Sequence, residues 1–314
     1  MKNYNQLLQF YNESLFSKAQ ELEQERQEII KFQYFVVATM AVLSLGLILL
    51  VYFMTDRPDM ATFMPLTLIL VILWSVMFQM DIHRDSIRVS RYQEAFKQQI
   101  IHPLIQAMDD QFIHAPGHCV SYQLVRASAF FPMRVDKFSG NDHVKGRIES
   151  VAFQFSDIKL QQKETNSDRV SWNVLFCGTF FVAEFNKHTH GVTVIHPETW
   201  QYNAPSYMRS FKMDNPDFNQ LFNVYGTDSI EAHYLLTHTM MNRLMELKKL
   251  ADEDVLITFA DGCIYWGIDY GYDPNEAPIN IPVSNRVIQY INTLQFMVDV
   301  IQELRLNEKL WAKR

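Results

Sequence analysis

His188 and His190 alternate along a possible strand, so both imidazoles can face one side, and His196 follows six residues later as a third candidate ligand. Convergent histidines are the donor set of zinc and related transition-metal sites, which would make the chain a metal-dependent hydrolase. The competing reading is a solvated strand end, favoured by Asn186-Lys187 and Gly191, because spacing alone does not supply ligand geometry. His233 and His238 lie five residues apart, about 140° around a helix, and cannot share a face. His114, His118 and Cys119 are close in sequence, but a thiolate nucleophile needs a base and an electropositive pocket, and the neighbouring residues supply neither. Cys177 falls inside an apolar strand. Asp228 and Glu231 have the spacing of a helix start, where both carboxylates satisfy exposed amides. The chain has no Gly-x-Ser-x-Gly elbow, phosphate-binding glycine loop, dinucleotide fingerprint or His-Glu-x-x-His motif. The expectation is therefore no catalytic residue and no cofactor.

The elements that position these residues begin at a membrane. Tyr34–Met54 and Met60–Met80 are uncharged apolar stretches of 21 residues, separated by Thr55-Asp-Arg-Pro-Asp59. Each makes a helix of roughly 30 Å, the thickness of a hydrocarbon core, and Pro58 fits the turn between them. Residues 34–80 thus read as a transmembrane hairpin. With no ionisable side chain in either span, the hairpin reads as an anchor rather than an ion pathway. Lys18, Arg26 and Lys31 precede it and Arg84, Arg88, Arg91 and Lys97 follow, whereas the turn carries only Arg57. Both termini are expected in the cytoplasm, with the first span an uncleaved signal anchor. Arg84, Arg88 and Arg91 form a stripe that can meet anionic headgroups.

Two helical extensions flank the hairpin. In residues 1–33, Leu8, Leu15, Leu22 and Ile29 recur every seven positions and offer a self-association stripe, although Lys18 and Glu25 weaken the alternate seam. In residues 81–112, Val89, Tyr92, Phe96, Ile100, Leu104 and Met108 mark an amphipathic stalk helix with a bend expected at Pro103. The extensions can pair with each other into a stalk, or one stripe can pack on another subunit.

Residues 113–314 are expected to form an α+β cytoplasmic domain, a mostly antiparallel sheet closed by a long C-terminal helix. Val144–Leu160 reads as a strand with a bulge near Ser156-Asp157, and Val170–Phe185 as a central strand in which Gly178 permits close backbone approach. Shorter strands are expected at Gly191–His196, Tyr207–Met213 and Leu221–Tyr225. Asp261-Gly262 joins Val255–Phe259 to Ile264–Ile268 as a hairpin. Val287, Ile291, Leu294, Val298, Ile301 and Leu304 define the closing helix. The net charge of −7 argues against nucleic acid, and three scattered cysteines suit a reducing compartment.

Phe176-Cys-Gly-Thr-Phe180 with Glu184-Phe-Asn-Lys187, Phe222-Asn-Val-Tyr-Gly-Thr-Asp228, Glu231-Ala-His-Tyr-Leu-Leu-Thr237 and Leu304-Arg-Leu-Asn-Glu-Lys-Leu-Trp311 resemble a family of bacterial inner-membrane proteins of unknown function. Some of its members carry the misleading label galanin. The family more often has Arg where this chain has His233. The resemblance implies a hairpin anchor and a cytoplasmic domain, without a catalytic residue or cofactor. The function expected is a membrane-anchored interaction or scaffold protein that self-associates and binds a protein partner. The alternatives are a lipid- or small-ligand-sensing module and the histidine-dependent hydrolase.

Overall fold

A computed structural model describes residues 1–54, 87–149, 151–166, 169–184, 190–200, 202–251, 253–271 and 277–311. The chain divides into two compact units that interleave in sequence. One combines Met1–Tyr11, Ile101–Asn275 and Ile288–Arg314; the other combines Asn12–Ile100 and Glu276–Val287.

The first unit is α+β. Helix α1 (Tyr4–Phe10) starts with a capping box between Asn3 and Gln6. It packs on α4 (His102–Met108), where the Lys2 ammonium donates to the Ala107 carbonyl at 2.8 Å and the Lys2 amide to the Met108 carbonyl at 2.8 Å. A cation among the last carbonyls of a helix is favourable, since these lack intrahelical donors. The nine strands are β1 (Ile113–Ala115), β2 (Lys137–Ile148), β3 (Val151–Asn166), β4 (Arg169–Glu184), β5 (Thr193–Pro197), β6 (Arg209–Phe211), β7 (Phe222–Gly226), β8 (Asp254–Ala260) and β9 (Cys263–Asp269). They form one antiparallel sheet in the order β1-β2-β3-β4-β9-β8-β5-β7-β6.

Val144–Leu160 is a hairpin rather than one strand. Glu149, at a φ of 54°, turns β2 into β3, and the register between them shifts after Asn141–Asp157, so the extra residue of the bulge lies in β2, between Asn141 and Val144, opposite Ser156, while Ser156 and Asp157 pair regularly with β4. The opposite phases of Val151, Phe153, Phe155 and of Ile158, Leu160 are the two faces of one strand, both buried. Strand β4 is central only in part, because its partner β9 reaches it from Gly178 to Glu184. A side chain at Gly178 would run into the Ile268 carbonyl. Asp261 and Gly262, at φ of 52° and 66°, close β8 onto β9 in the left-handed conformation that a two-residue hairpin demands.

Helix α5 (Tyr122–Ala127) and the chain after it cover one sheet face, where Val125 and Phe130 meet Leu160, Phe176, Phe180 and Leu256. Helix α6 (Pro216–Leu221) is capped by Asn215. At α7 (Ser229–Leu235), Asp228 accepts from the amides of Ile230 (2.8 Å) and Glu231 (3.3 Å). The Glu231 carboxylate does not return to this cap; it accepts from the amides of His190 and Gly191 at 3.2 and 3.0 Å. Helix α8 (His238–Ala251) and the buried side of α9 (Val283–Trp311) lie on the other sheet face, with Phe296 edge-on to Trp266 at 5.6 Å.

The second unit is helical. A π-helical turn (Tyr11–Leu15) leads into α2 (Phe16–Met54). Helix α3, residues 87–96, runs antiparallel to the lower part of α2: Arg88 lies over the Phe32 ring at 4.5 Å, and Tyr92 is within the field of Arg26. A second π-helical turn (Lys97–Ile101) precedes Pro103, where the ring removes an amide donor, so the expected bend takes this form.

Candidate functional site

The proposed self-association stripe is occupied by the protein's own fold. Leu15, Leu22 and Ile29 are buried, with Ala19 and Arg26 between them; Leu8 is half-buried, and Leu7 takes the interior position. The interior seam uses the fourth residue after each leucine rather than the third, so Ala19 and Arg26 point inward and Lys18 outward. Arg26 is tolerated because each of its groups has a partner. Its guanidinium is bonded to the Glu23 carboxylate and donates to the Ile279 carbonyl at 2.6 Å, while Glu23 accepts from the Val283 amide at 3.0 Å at the start of α9. The Arg26 hydrogen bonds hold the Glu23 carboxyl down at about 2, against the opposing effect of burial.

Among the described residues, one helix is long and apolar enough to cross a membrane, and the predicted first span forms its upper part. Tyr34, Phe35, Val37, Val42, Leu43, Leu45, Leu49 and Phe53 stand exposed, Val42 by 69% and Phe53 by 81%. Thr39 and Ser44 return their hydroxyls to the carbonyls of Phe35 and Met40 at 2.8 and 2.6 Å, which leaves no donor facing outward from either. The second span, Met60–Met80, and Arg84 lie outside the described residues. Arg88 and Arg91 are exposed on α3.

The histidines proposed as metal ligands fall in different settings. His188 lies outside the described residues, and His190 is exposed in the loop before β5. His196 is 2% exposed, with its ring tilted against Tyr202 at 4.2 Å and near Trp200 at 6.0 Å. Neither ring nitrogen has a partner in good hydrogen-bond geometry; burial holds its pKa down at about 4, against the smaller opposing effect of the nearby Phe130 backbone. No group of three His, Cys, Asp or Glu side chains fit for a metal is found among the described residues. Strand β5 is paired on both sides and buried on both faces, so His196 lies in the core, where a neutral imidazole packs as an aromatic. Burial pushes the thiols of Cys119 and Cys263 up, away from the thiolate form.

A polar seam that sequence spacing did not disclose joins α4, β1 and the β2 bulge. The rings of His102 and His114 stack at 5.4 Å with their Nδ1 atoms 3.2 Å apart, and His114 Nε2 faces Asp142 Oδ1 at 3.4 Å. The side chains of His114 and Asp142 are almost wholly buried. Asp142 sits in the bulge at a φ of 55°, a conformation that turns its carboxylate inward. Nε2 is the ring nitrogen of His114 that faces this carboxylate, and Nδ1 is the one that meets His102. Burial, then the neighbouring His114, lowers the His102 pKa. Tyr290 on α9 lies within the field of Asp142 and Asp157, and burial followed by these two charges raises its pKa well above the usual range. Asp157 itself accepts from the Thr179 hydroxyl at 2.7 Å. The seam ties a helix to a sheet bulge. Bulge geometry and contacts twelve and more residues apart create it, and no motif announces it.

The spaces in this unit are small or open. An apolar void between α8, β8, β9 and α9, lined by Leu244, Ile257, Trp266 and Phe296, has about 10 Å³, room for less than a ligand. An open groove of about 800 Å³ is lined by Leu221, Asn242, Met245, Lys248, Lys249 and Asp254. Lys248 pairs with Asp254 across it at 3.1 Å, and Trp200 Nε1 donates to the same carboxylate at 2.7 Å.

The model of a family described as "Protein of unknown function (DUF3137)" matches residues 174–306, which include three of the four stretches that carried the family resemblance. Comparison with curated proteins gives no match. Among solved structures, the crystal structure of the mycobacterial trehalose monomycolate transport factor A, TtfA, is similar at 11% identity and a TM-score of 0.34. That match covers 58% of this chain and 86% of the other, and a likeness so distant transfers no property.

Proposed function

We propose that the chain is a membrane-anchored interaction protein of the bacterial inner membrane, in which a helical hairpin holds an α+β domain at the cytoplasmic surface. The observation that carries this reading is the apolar side-chain surface of α2 from Tyr34 to Phe53, too large and continuous to face water. The hairpin is supported by chain closure. Beyond Phe32, α2 continues for residues 33–54, about 33 Å, yet Arg88 lies back against the Phe32 ring. In the proposed hairpin a helix over Met60–Met80, about 31 Å long, closes that distance. The distribution of Lys and Arg along the sequence supports cytoplasmic termini, with Arg88 and Arg91 at the headgroups. An interaction role for the domain rests on its filled core and on the lack of a gathered catalytic or metal constellation among the described residues.

Alkaline extraction of native membranes, combined with impermeant thiol labelling of Asp56→Cys in intact spheroplasts, tests the reading. The chain should stay in the pellet, and Asp56→Cys should label from outside while a C-terminal epitope is reached only after lysis. Release into the supernatant, or an epitope reached from outside, would overturn it.

A further inference from the structure

We propose that the free edge of β4 is a self-pairing surface, on which a second copy of this chain adds its own β4 antiparallel about a two-fold axis at Trp172. The edge exists because β3 and β4 outrun the sheet. Strand β2 reaches β3 only as far as Gln161, and β9 reaches β4 only from Gly178 onward, while β3 and β4 pair with each other out to Asn166 and Arg169. Among the described residues, no strand pairs with the outer edge of β4 over 169–174. An unpaired strand edge of this length is a template for another strand.

The side chains on this ribbon do not blunt it. Val170, Trp172 and Val174 alternate onto one face and are 55%, 47% and 45% exposed, while Ser171 and Asn173 occupy the other. The order Val-Ser-Trp-Asn-Val reads alike in polarity from either end. An antiparallel pair centred on Trp172 sets Val170 against Val174 of the second copy, Ser171 against Asn173, and Trp172 against itself. Apolar meets apolar and polar meets polar at every position, which a two-fold interface requires and an arbitrary partner does not. Lys163 lies opposite Trp172 on β3. Its counterpart in the second copy would be three strand spacings away, about 14 Å, and their repulsion is screened at physiological salt.

A contact of a few residue pairs buries well under the roughly 1,200 Å² of a stable interface. Free chains therefore associate weakly, and two copies held in one bilayer, at millimolar effective concentration, associate well. This last step rests on the proposed anchoring; the edge itself does not.

The test is disulfide trapping of the full chain in phosphatidylethanolamine–phosphatidylglycerol proteoliposomes, with the unsubstituted chain and its Cys119, Cys177 and Cys263 as the blank. Trp172→Cys alone should give a crosslinked dimer, because directly opposed strand residues lie within disulfide reach. Val170→Cys mixed with Val174→Cys should also crosslink. Val170→Cys alone should not, its two copies being about 14 Å apart. Energy transfer between labelled chains in the same vesicles should show at least about ten-fold weaker association for Trp172→Lys. No dimer from Trp172→Cys, equal trapping by Val170→Cys alone, or association that Trp172→Lys leaves unchanged would each overturn the proposal. So would trapping of Trp172→Cys in native membranes to a different protein only. A chain released by alkali yet trapped at Trp172→Cys would sink the anchor and keep the edge.

Discussion

Between Leu15 and Ile29, α2 buries one stripe and exposes Lys18, Glu21 and Glu28; from Tyr34 to Phe53 the same helix exposes Phe35, Val42, Leu43 and Phe53 and carries no charge at all. The backbone and its hydrogen bonding are continuous across Phe32. What differs is the solvent each half is built for. The lower half needs a partner helix and finds α3, so its apolar residues cover a narrow arc and even an arginine can lie in the seam once Glu23 and the Ile279 carbonyl receive it. The upper half is apolar all round, as a helix in hydrocarbon must be, and the hydroxyls of Thr39 and Ser44 are turned back onto the backbone. Burial in protein and burial in lipid thus leave different patterns on one helix.

That contrast is broken most severely by charge in the upper half. Leu43→Arg with Leu45→Arg should cost about 5–7 kcal/mol of insertion, taking about 2.5–3.5 for each arginine at a span centre, and should move the chain from the membrane pellet to the soluble or degraded fraction. The same residue type is accommodated at position 26, so a pellet that keeps the double variant would erase the distinction. In the lower half, Leu22→Ala should leave membrane residence intact and destabilise the α2–α3 pair by about 2–4 kcal/mol, read as faster amide exchange over residues 16–33 and 87–100. Unchanged exchange would mean that the stripe is not held by α3.

The two compact units should also separate by acid sensitivity. In the sheet unit, His196 has a pKa of about 4 when folded against an ordinary 6.5, so below pH 6.5 the unfolded chain takes up a proton that the folded chain refuses. Stability there falls as the pH drops from about 6.5 to about 4, by on the order of 2–3 kcal/mol, and His196→Phe should flatten that dependence. In the helical unit, Glu23 is held at about 2 against 4.5, so its contribution is present above 4.5 and is lost only as the pH falls from there toward 2. Amide exchange across pH 7 to 3 should show the sheet unit loosening first; simultaneous loss would contradict the assignment. The smallest effect belongs to a local feature: Asp228→Ala removes the cap of α7 and should lower stability by about 1 kcal/mol in a denaturant titration.

Features carried by neighbours in sequence were legible without coordinates. Asp261-Gly262 specifies its turn because two adjacent residues take left-handed φ, and Asp228 specifies its cap because it reaches amides two and three residues on. The apolar length of Tyr34–Met54 needs no partner to be recognised. Where a short pattern fits two structures, the residues alone leave both open: the phase change in Val144–Leu160 suits a bulge or a strand buried on both faces, and the Leu8, Leu15, Leu22, Ile29 repeat fits a foreign helix as well as α3. The histidine pattern is open in a related way, since alternation states which residues share a face but not whether that face meets solvent.

By itself, then, the sequence determined the apolar span, the caps, the β8–β9 turn and the α+β order of elements, all of which depend on hydrogen bonds and periodicities within a few residues. Only the tertiary structure decided that Arg26 belongs inside, that His102, His114 and Asp142 meet at a strand bulge, and that β4 is central at Gly178 and a free edge at Trp172. Those outcomes turn on which distant segment arrives alongside, and Arg26 meets its carbonyl acceptor 253 residues further along the chain.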